Sequence, residues 1–422
     1  MKKRTVALVL MLAMVLVLAA CGGGSTGGET ASDGTSITIF NSKMEIQSQM
    51  EEMAKKYTAE KGVKVEVYYS SDTVAAHMST RYASNEPYAI AMVDAKDIYS
   101  LGPEHAVDLS DQQWVADTTQ AITVDGKVLG FPVCIEARGI IYNAEAIRAI
   151  VPDFDPTAVK TTEDFQAIID ALIEGGMDAP TGVMKEDWSL AAHFLAEVYE
   201  LHDDPDAFIA GIKDGSIVLA EDEIYNAMMD TFDILKDNNY AKASAISAER
   251  EVTEQMLAEG ELAFMFGGNW DWSVINAYNY SDDMGMMPVP NDLGDGSSDK
   301  LVGGGSKYFY VDNGVSEEQQ QAAKDFLNWL VYDEEGQAFL VEECALVPAF
   351  ANISLEVADP LGASVKAYTD ADALTGNYNY LPNDHYAKTG ASFQKYLAGQ
   401  IDRAGLADEI TAYWATAEVG AH

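Results

Sequence analysis

Trp270 and Trp272 stand one residue apart in Gly267-Gly268-Asn269-Trp270-Asp271-Trp272, straddling Asp271, in a chain with only six tryptophans. Indole rings so placed either fill a core or are held out for a ligand. A second candidate is Glu136-Ala137-Arg138, where a carboxylate and a guanidinium interrupt the apolar run Val128 to Asn143. Such charges are expensive if buried and unpaired. They read either as a surface ion pair of same-face neighbours, or as a strand crossing between two lobes with Glu136 facing a cleft. Signals for bond-making chemistry are missing. There is no CxxC or HExxH, and the histidines at 77, 105, 193, 202, 385 and 422 lack metal-ligand spacing. The expectation is a protein that is not an enzyme and uses no cofactor and no metal.

The elements that must position these residues follow from periodicity. Ile37-Thr38-Ile39-Phe40 alternates as a strand, and Ile46, Met50, Met53, Ala54 and Tyr57 then fall at helical spacing up to Lys61-Gly62. Val63, Val65 and Val67 alternate again, which makes a strand–helix–strand unit of a parallel sheet. Ligands bind beyond the carboxyl ends of such strands, so Asn41-Ser42-Lys43 and Ser70-Ser71-Asp72 lie at candidate edges. Later segments are helical. Thr162 is the expected cap of a helix carrying Phe165, Ile168, Ile169 and Leu172, and Leu190–Leu201 and Tyr225–Leu235 share its periodicity. Ser316-x-x-Gln319 matches a capping box ahead of a stripe that includes Phe326 and Trp329, which places Trp329 in a core.

The N-terminus, MKKRTVALVLMLAMVLVLAAC, joins a basic start to an apolar run too short for a comfortable membrane span, so residues 1–20 read as a signal peptide. Leu18-Ala19-Ala20-Cys21 resembles the lipobox of bacterial lipoproteins, which implies lipid on Cys21 and an anchored, extracellular protein. Residues 21–35 carry little to bury and read as a tether; the Gly22-x-Gly24-x-x-Gly27 match inside it follows no strand and is discarded. The body is long enough for two or more domains. A net charge of −42 repels nucleic acid and anionic headgroups. Cys134 and Cys344 remain, either paired or as buried thiols.

Several blocks in order resemble one family: ITIFNSKMEIQSQMEEMAKKYTAEKGVKVEV, VLGFPVCIEARGIIYN, EGELAFMFGGNWDWSV, VGGGSKYFYVDNG, AAKDFLNWLVYDEEGQAFLVEECALVPAF and SFQKYLAGQID. They are similar to the extracellular solute-binding proteins of ABC importers, of the maltose-binding-like type (family 1), and among these to sugar-binding lipoproteins. The resemblance implies an α/β, two-lobe periplasmic-binding-protein-like fold (type II), with a hinge crossed three times, near Glu136, Gly303–Ser306 and Pro348. Lobe 1 would be 36–135 plus 306–347, and lobe 2 would be 138–302 plus 349–422. The expected partners are a small carbohydrate ligand, permease subunits and, through the lipid, the membrane; the protein would be a monomer. The chain departs from the family at Glu86-Pro87-Tyr88, where members carry Pro-Asp, and this puts the Asp94–Asp97 loop in doubt as a ligand contact.

A sugar offers CH faces and many hydroxyls, and so calls for aromatic planes with acids and amides. By the resemblance, Trp270 stacks on the ligand, Asn269 stands beside it, and Trp272 packs inward. Glu136 faces the cleft, as do Asn41, Ser42, Lys43 and Glu45 after the first strand and Ser71 and Asp72 after the second. Trp188 opens a loop-to-helix segment there, Gly304-Gly305-Ser306 offers amides and a hydroxyl, and Tyr386, near Asn383 and Asp384, supplies an aromatic wall. Two alternatives stand beside this reading. A polyamine or peptide would suit an acidic aromatic cleft. An exported glycosidase would need two spaced carboxylates, which 68 acidic residues can always supply.

Overall fold

The structure is a computed structural model that describes residues 35–382 and 384–417. The signal peptide, Cys21, nearly all of the tether and Asn383 lie outside the described residues. No described helix is long and apolar enough to cross a membrane.

β1 (Ser36–Asn41) is followed by the helix Gln47–Lys61 and β2 (Lys64–Tyr69). The helix buries Met50, Met53, Ala54 and Tyr57, and ends at Gly62, whose φ of 72° suits a residue without Cβ. β1 pairs in parallel with β2, as the alternation predicts, and on its other side with β3 (Ile90–Asp94). The remaining strands are β4 (Ile122–Val124), β5 (Lys127–Asn143), β6 (Thr181–Gly182), β7 (Phe264–Gly268), β8 (Met284–Met287) and β9 (Val302–Val311). The sheet runs β2-β1-β3-β9-β5-β7-β6, with β4 and β8 also paired to β5.

β5 is one unbroken strand, although charge interrupts its sequence. It pairs antiparallel with β9 from Phe131–Phe309 to Arg138–Val302, and then with β7 from Arg138–Gly268 to Tyr142–Phe264. At its midpoint Ile135 lies beside Gly305 on one side and bridges Val347 on the other. The three segments expected to cross the hinge therefore run side by side.

Two large apolar cores pack against this sheet, and the first includes Ile135, Ala137 and Ile141 of β5 itself. One gathers Ile39, Met53, Tyr57, Phe326 and Leu330; the other gathers Phe165, Phe194, Phe232, Phe264, Phe393 and Trp414. Trp329 lies in the first core, edge-on to Tyr57. Ser316 and Gln319 form the expected capping box. Two local expectations change. Thr161, not Thr162, caps the helix Thr162–Glu174, because its hydroxyl accepts the Asp164 N–H. The segment Trp188–Leu195 is π-helical before turning α-helical at Ala196–Glu200.

Candidate ligand site

The loop leaving β1 is built by Asn41. Its Nδ2 donates to the Lys43 carbonyl (2.8 Å) and to Gln47 Oε1 (3.0 Å), while its Oδ1 accepts the Lys43 N–H (2.9 Å). Fully buried and with both amide hydrogens in use, Asn41 shapes the edge and has no donor left for a ligand. The loop aims Lys43 at β5: Nζ lies 2.7 Å from Glu136 Oε1 and 2.7 Å from Glu45 Oε1. Burial opposes the charge on Lys43, but Glu136 and Glu45 outweigh it and raise its pKa. Burial likewise opposes ionisation of Glu136, and Lys43 with the Ser306 hydroxyl overcomes it, holding that carboxyl below its usual range. The pair is therefore ionised. The hydroxyl of Ser42 is buried with no hydrogen-bond partner among the described residues.

Glu136 and Arg138 do not pair with each other, and neither is a surface group. Arg138 turns to Glu197 (3.4 Å), to Glu200 and to Asn377 Oδ1 (3.2 Å). Burial, with Arg138 opposing it and Glu200 adding to it, pushes Glu197 up to about 8.

From the other core, β7 ends at Gly268 and Asn269–Asp271 forms a single tight turn. Asp271, unassigned by the sequence, is wholly buried. Its Oδ2 accepts the Gly268 N–H (3.0 Å) and its Oδ1 accepts from Arg250 (3.1 Å). Arg250 Nε also donates to Glu254 (2.8 Å). Burial and the charge of Asp271 raise Glu254 to about 10, so this carboxyl keeps its proton; burial raises Asp271 as well, and Glu254, Arg250 and the Gly268 amide oppose that rise. Asn269 Oδ1 accepts the Ala137 N–H (3.0 Å), which stitches the turn to the residue after Glu136.

The Trp270 ring folds back over Gly268, where any Cβ would collide with it. Its centroid lies 4.5 Å from that of His193, which in turn meets Trp188 edge-on at 5.3 Å. The π-helical turn explains the second contact, since i→i+5 bonding stacks residues that an ordinary helix would splay apart. Arg250 lies over the Trp188 ring, 5.5 Å from its centroid. Its charge also feels Glu45, which links this wall to the Lys43 loop. Burial, with Arg138 and Arg250 nearby, holds His193 well below its usual pKa, so the imidazole is neutral. Among the described residues, Trp270 Nε1, His193 Nδ1 and Glu186 Oε2 are buried without hydrogen-bond partners.

The structure thus brings together Ser42, Lys43, Glu45, Glu136, Asn269, Trp270 and Trp188. Gly304 lies opposite Glu136, and the Gly305 N–H is already held by Gln120 Oε1 (2.8 Å). Ser306 Oγ lies 3.5 Å from Cys134 Sγ. Ser71 and Asp72 are exposed before the helix Val74–Ala83; among the described residues they share no hydrogen bond or ion pair with the cluster. Tyr386 is partly buried against the second core. Trp272 opens a short helix and meets Tyr280 edge-on (4.7 Å). In the doubtful loop, Asp94 pairs with Lys307 of β9. Arg250, His193 and Lys307 were not singled out as contacts, because no local motif marks them and only the tertiary fold brings them here; Asp271 stood in the opening motif without a role.

One long strand paired along both halves of the sheet, with a polar–aromatic cluster beside its midpoint, is the setting in which a two-lobe protein binds a ligand. The sequence matches the family model of bacterial extracellular solute-binding proteins over residues 52–373, and the chain belongs to that family. No match was found among curated protein sequences. Among solved structures, RafE in complex with raffinose superposes with a TM-score of 0.73 at 18% identity, covering 90% of this chain and 99% of that one. A chitin oligosaccharide binding protein gives 0.69 at 20% identity, covering 91% and 98%. A manno-oligosaccharide specific solute binding protein from Bifidobacterium animalis subsp. lactis, in complex with mannotriose, gives 0.63 at 18% identity, covering 93% and 96%.

Proposed function

We propose that this chain captures an uncharged carbohydrate between its lobes and hands it to the permease of an ABC importer, making and breaking no bond. The observation that carries this reading is the cluster of Trp188, His193 and Trp270 beside buried polar atoms that lack protein partners, namely Ser42 Oγ, Trp270 Nε1, His193 Nδ1 and Glu186 Oε2. Flat rings with both donors and acceptors left over match the CH faces and hydroxyls of a sugar. The solved relatives named for raffinose, chitin oligosaccharide and mannotriose support the same ligand class.

A polyamine or cationic peptide needs an open carboxylate. Glu136, Asp94 and Asp271 already hold Lys43, Lys307 and Arg250. Occupation of these three acids favours a neutral ligand, and leaves Glu186 Oε2 as the acid of the cluster that a cationic ligand would have to use. The side-by-side Ile135, Gly305 and Val347 support hinge crossings there, with lobes at 36–135 plus 306–347 and 138–302 plus 349–422. The lipobox-like Leu18–Cys21 supports anchoring at the outer membrane face. Calorimetric titration with maltose-, chitin- and mannan-derived oligosaccharides, raffinose and stachyose tests the reading. Silence across that panel, or preferential and salt-sensitive binding of spermidine, would refute it.

A further inference from the structure

Arg250 opens the helix Arg250–Ala258, and its backbone N–H is one of the donors that a helix start leaves without a partner inside the helix. Glu186 Oε1 takes it, at 3.0 Å. Glu186 stands two residues before Trp188, so this bond pins the helix start beside the π-helical segment that carries Trp188 and His193. The side chain then spreads in three directions. Nε donates to Glu254 Oε1 on the same helix (2.8 Å), Nη2 donates to Asp271 Oδ1 (3.1 Å), and the guanidinium carbon lies over the Trp188 ring, 5.5 Å from its centroid.

Asp271 carries the link onward. Its Oδ2 accepts the Gly268 N–H (3.0 Å) and sits where a Cβ on Gly267 would collide with it, and the Trp270 ring rests in turn on Gly268. Through one carboxylate the guanidinium thus fixes the turn Asn269–Asp271 on which Trp270 stands, and through its face it meets Trp188. The rings have no such anchors of their own. Trp270 Nε1 and His193 Nδ1 have no hydrogen-bond partner among the described residues. A planar guanidinium suits this task, because it offers N–H groups at fixed angles and a face that stacks, which an ammonium does not. Burial opposes its charge, and Asp271 and Glu254 outweigh that and raise its pKa.

We propose that Arg250 is a positioning residue for both tryptophans, holding Trp188 and Trp270 in their ligand-ready arrangement before any sugar arrives and without touching the sugar itself. The proposal rests on the carbohydrate reading above for its ligand. Rings held in advance need less ordering on binding, so a loosened frame is read as lost affinity. Because both rings depend on one group, the effects of Arg250 and Trp270 are coupled and not additive.

The test is a double-variant cycle in the full chain. Arg250→Lys keeps a cation beside the buried acids and removes the planar fork. Asp271→Asn keeps a side-chain acceptor for the Gly268 N–H and removes the carboxylate that Arg250 holds. Each is combined with Trp270→Ala and titrated calorimetrically with raffinose, mannotriose and a chitin-derived trisaccharide, with thermal melts to establish folding. Each single variant is expected to lose about tenfold or more in affinity. Trp270→Ala is then expected to cost less than about threefold further, against about tenfold or more in the wild-type background. In unliganded Arg250→Lys, tryptophan emission should move to the red and acrylamide quenching should rise, which reads the frame without a ligand. An undiminished cost of Trp270→Ala in both variants assigns Arg250 to direct ligand contact and overturns the proposal. Emission and quenching unchanged from wild type, or failure of both variants to fold, assigns it to the scaffold and overturns the proposal equally. Absence of binding by the wild type removes the carbohydrate reading, and emission and quenching alone then decide whether Arg250 positions the rings.

Discussion

Lys43 Nζ and Glu136 Oε1 lie 2.7 Å apart, so a single ion pair ties the loop after β1 to the midpoint of the longest strand. Both side chains are largely buried, at 7% and 13% exposure. A buried pair of this kind contributes little net stability while intact, and removing one partner strands the other.

Lys43→Met should therefore destabilise the chain by about 3 kcal/mol, with most of that recovered in the double variant Lys43→Met/Glu136→Leu. Urea denaturation measures both. The folded pKa of Glu136 is depressed, so its contribution is complete above the unfolded value of 4.5 and is lost as pH falls through the lower folded value. Wild type should accordingly lose stability more steeply than Glu136→Gln as pH falls from 4.5 toward the folded value.

Glu254 behaves in the opposite sense. Its folded pKa is raised, so above the unfolded value of 4.5 the native state retains a proton that the unfolded chain has released, and stability falls as pH rises. Gln at this position reproduces the protonated acid, accepting from Arg250 and donating to Asp271. Glu254→Gln should be more stable than wild type at neutral pH, with an advantage that grows by up to about 1.4 kcal/mol per pH unit. An advantage that stays flat between pH 5 and 8 would contradict the shared proton.

Trp270→Ala should weaken sugar binding by roughly tenfold to a hundredfold, the loss expected for one stacked ring and its hydrogen bond. Its melting temperature should stay close to that of wild type, because the ring is only partly buried. Calorimetry and a thermal scan on the same sample separate the two effects.

Gly268→Ala places a methyl group where the Trp270 ring now lies. Overpacking of this kind costs about 1–3 kcal/mol. The displaced ring should weaken binding without removing any ligand contact from the sequence. Tryptophan fluorescence should shift in the unliganded variant; an unchanged spectrum with full affinity would show that the ring has another seat.

Cys134 and Cys344 are both free and buried. Burial pushes the Cys134 thiol up to about 11, so it is a poor nucleophile. Reductant should leave the melting temperature unchanged, and thiol reagents should reach these two positions only after denaturation.

Much of the architecture is legible in the sequence because it repeats at short range. The alternation at Ile37–Phe40 and the stripe from Met50 to Tyr57 gave β1 and its helix, and Ser316 with Gln319 gave a helix start. The site was only half legible. Trp270 and Glu136 stand in patterns that a resemblance can locate, whereas Asn41 looked available because its local hydrogen bonds cannot be read from residue type. Arg250 and His193 were invisible, one because it merely opens a helix and the other because only a π-helical turn sets it beside Trp188. The fates of Glu136 and Arg138 followed from partners distant in the chain, Lys43 for one and Glu200 for the other.

The sheet pairing also sets the order in which this molecule can fold. β3 and the first half of β5 are joined only through β9, whose residues Val302–Val311 come late in the chain. Pairings of such long sequence separation form slowly, because the loop must close before any contact rewards it. A chain that crosses a membrane N-terminus first therefore delivers β1, β2, β3 and β5 before the strand that unites them. Until residue 311 has emerged, the first half holds unpaired edges, and the polypeptide remains threadable for most of its passage. Late arrival of the central strand keeps the protein exportable, and exposes it to aggregation until that strand docks.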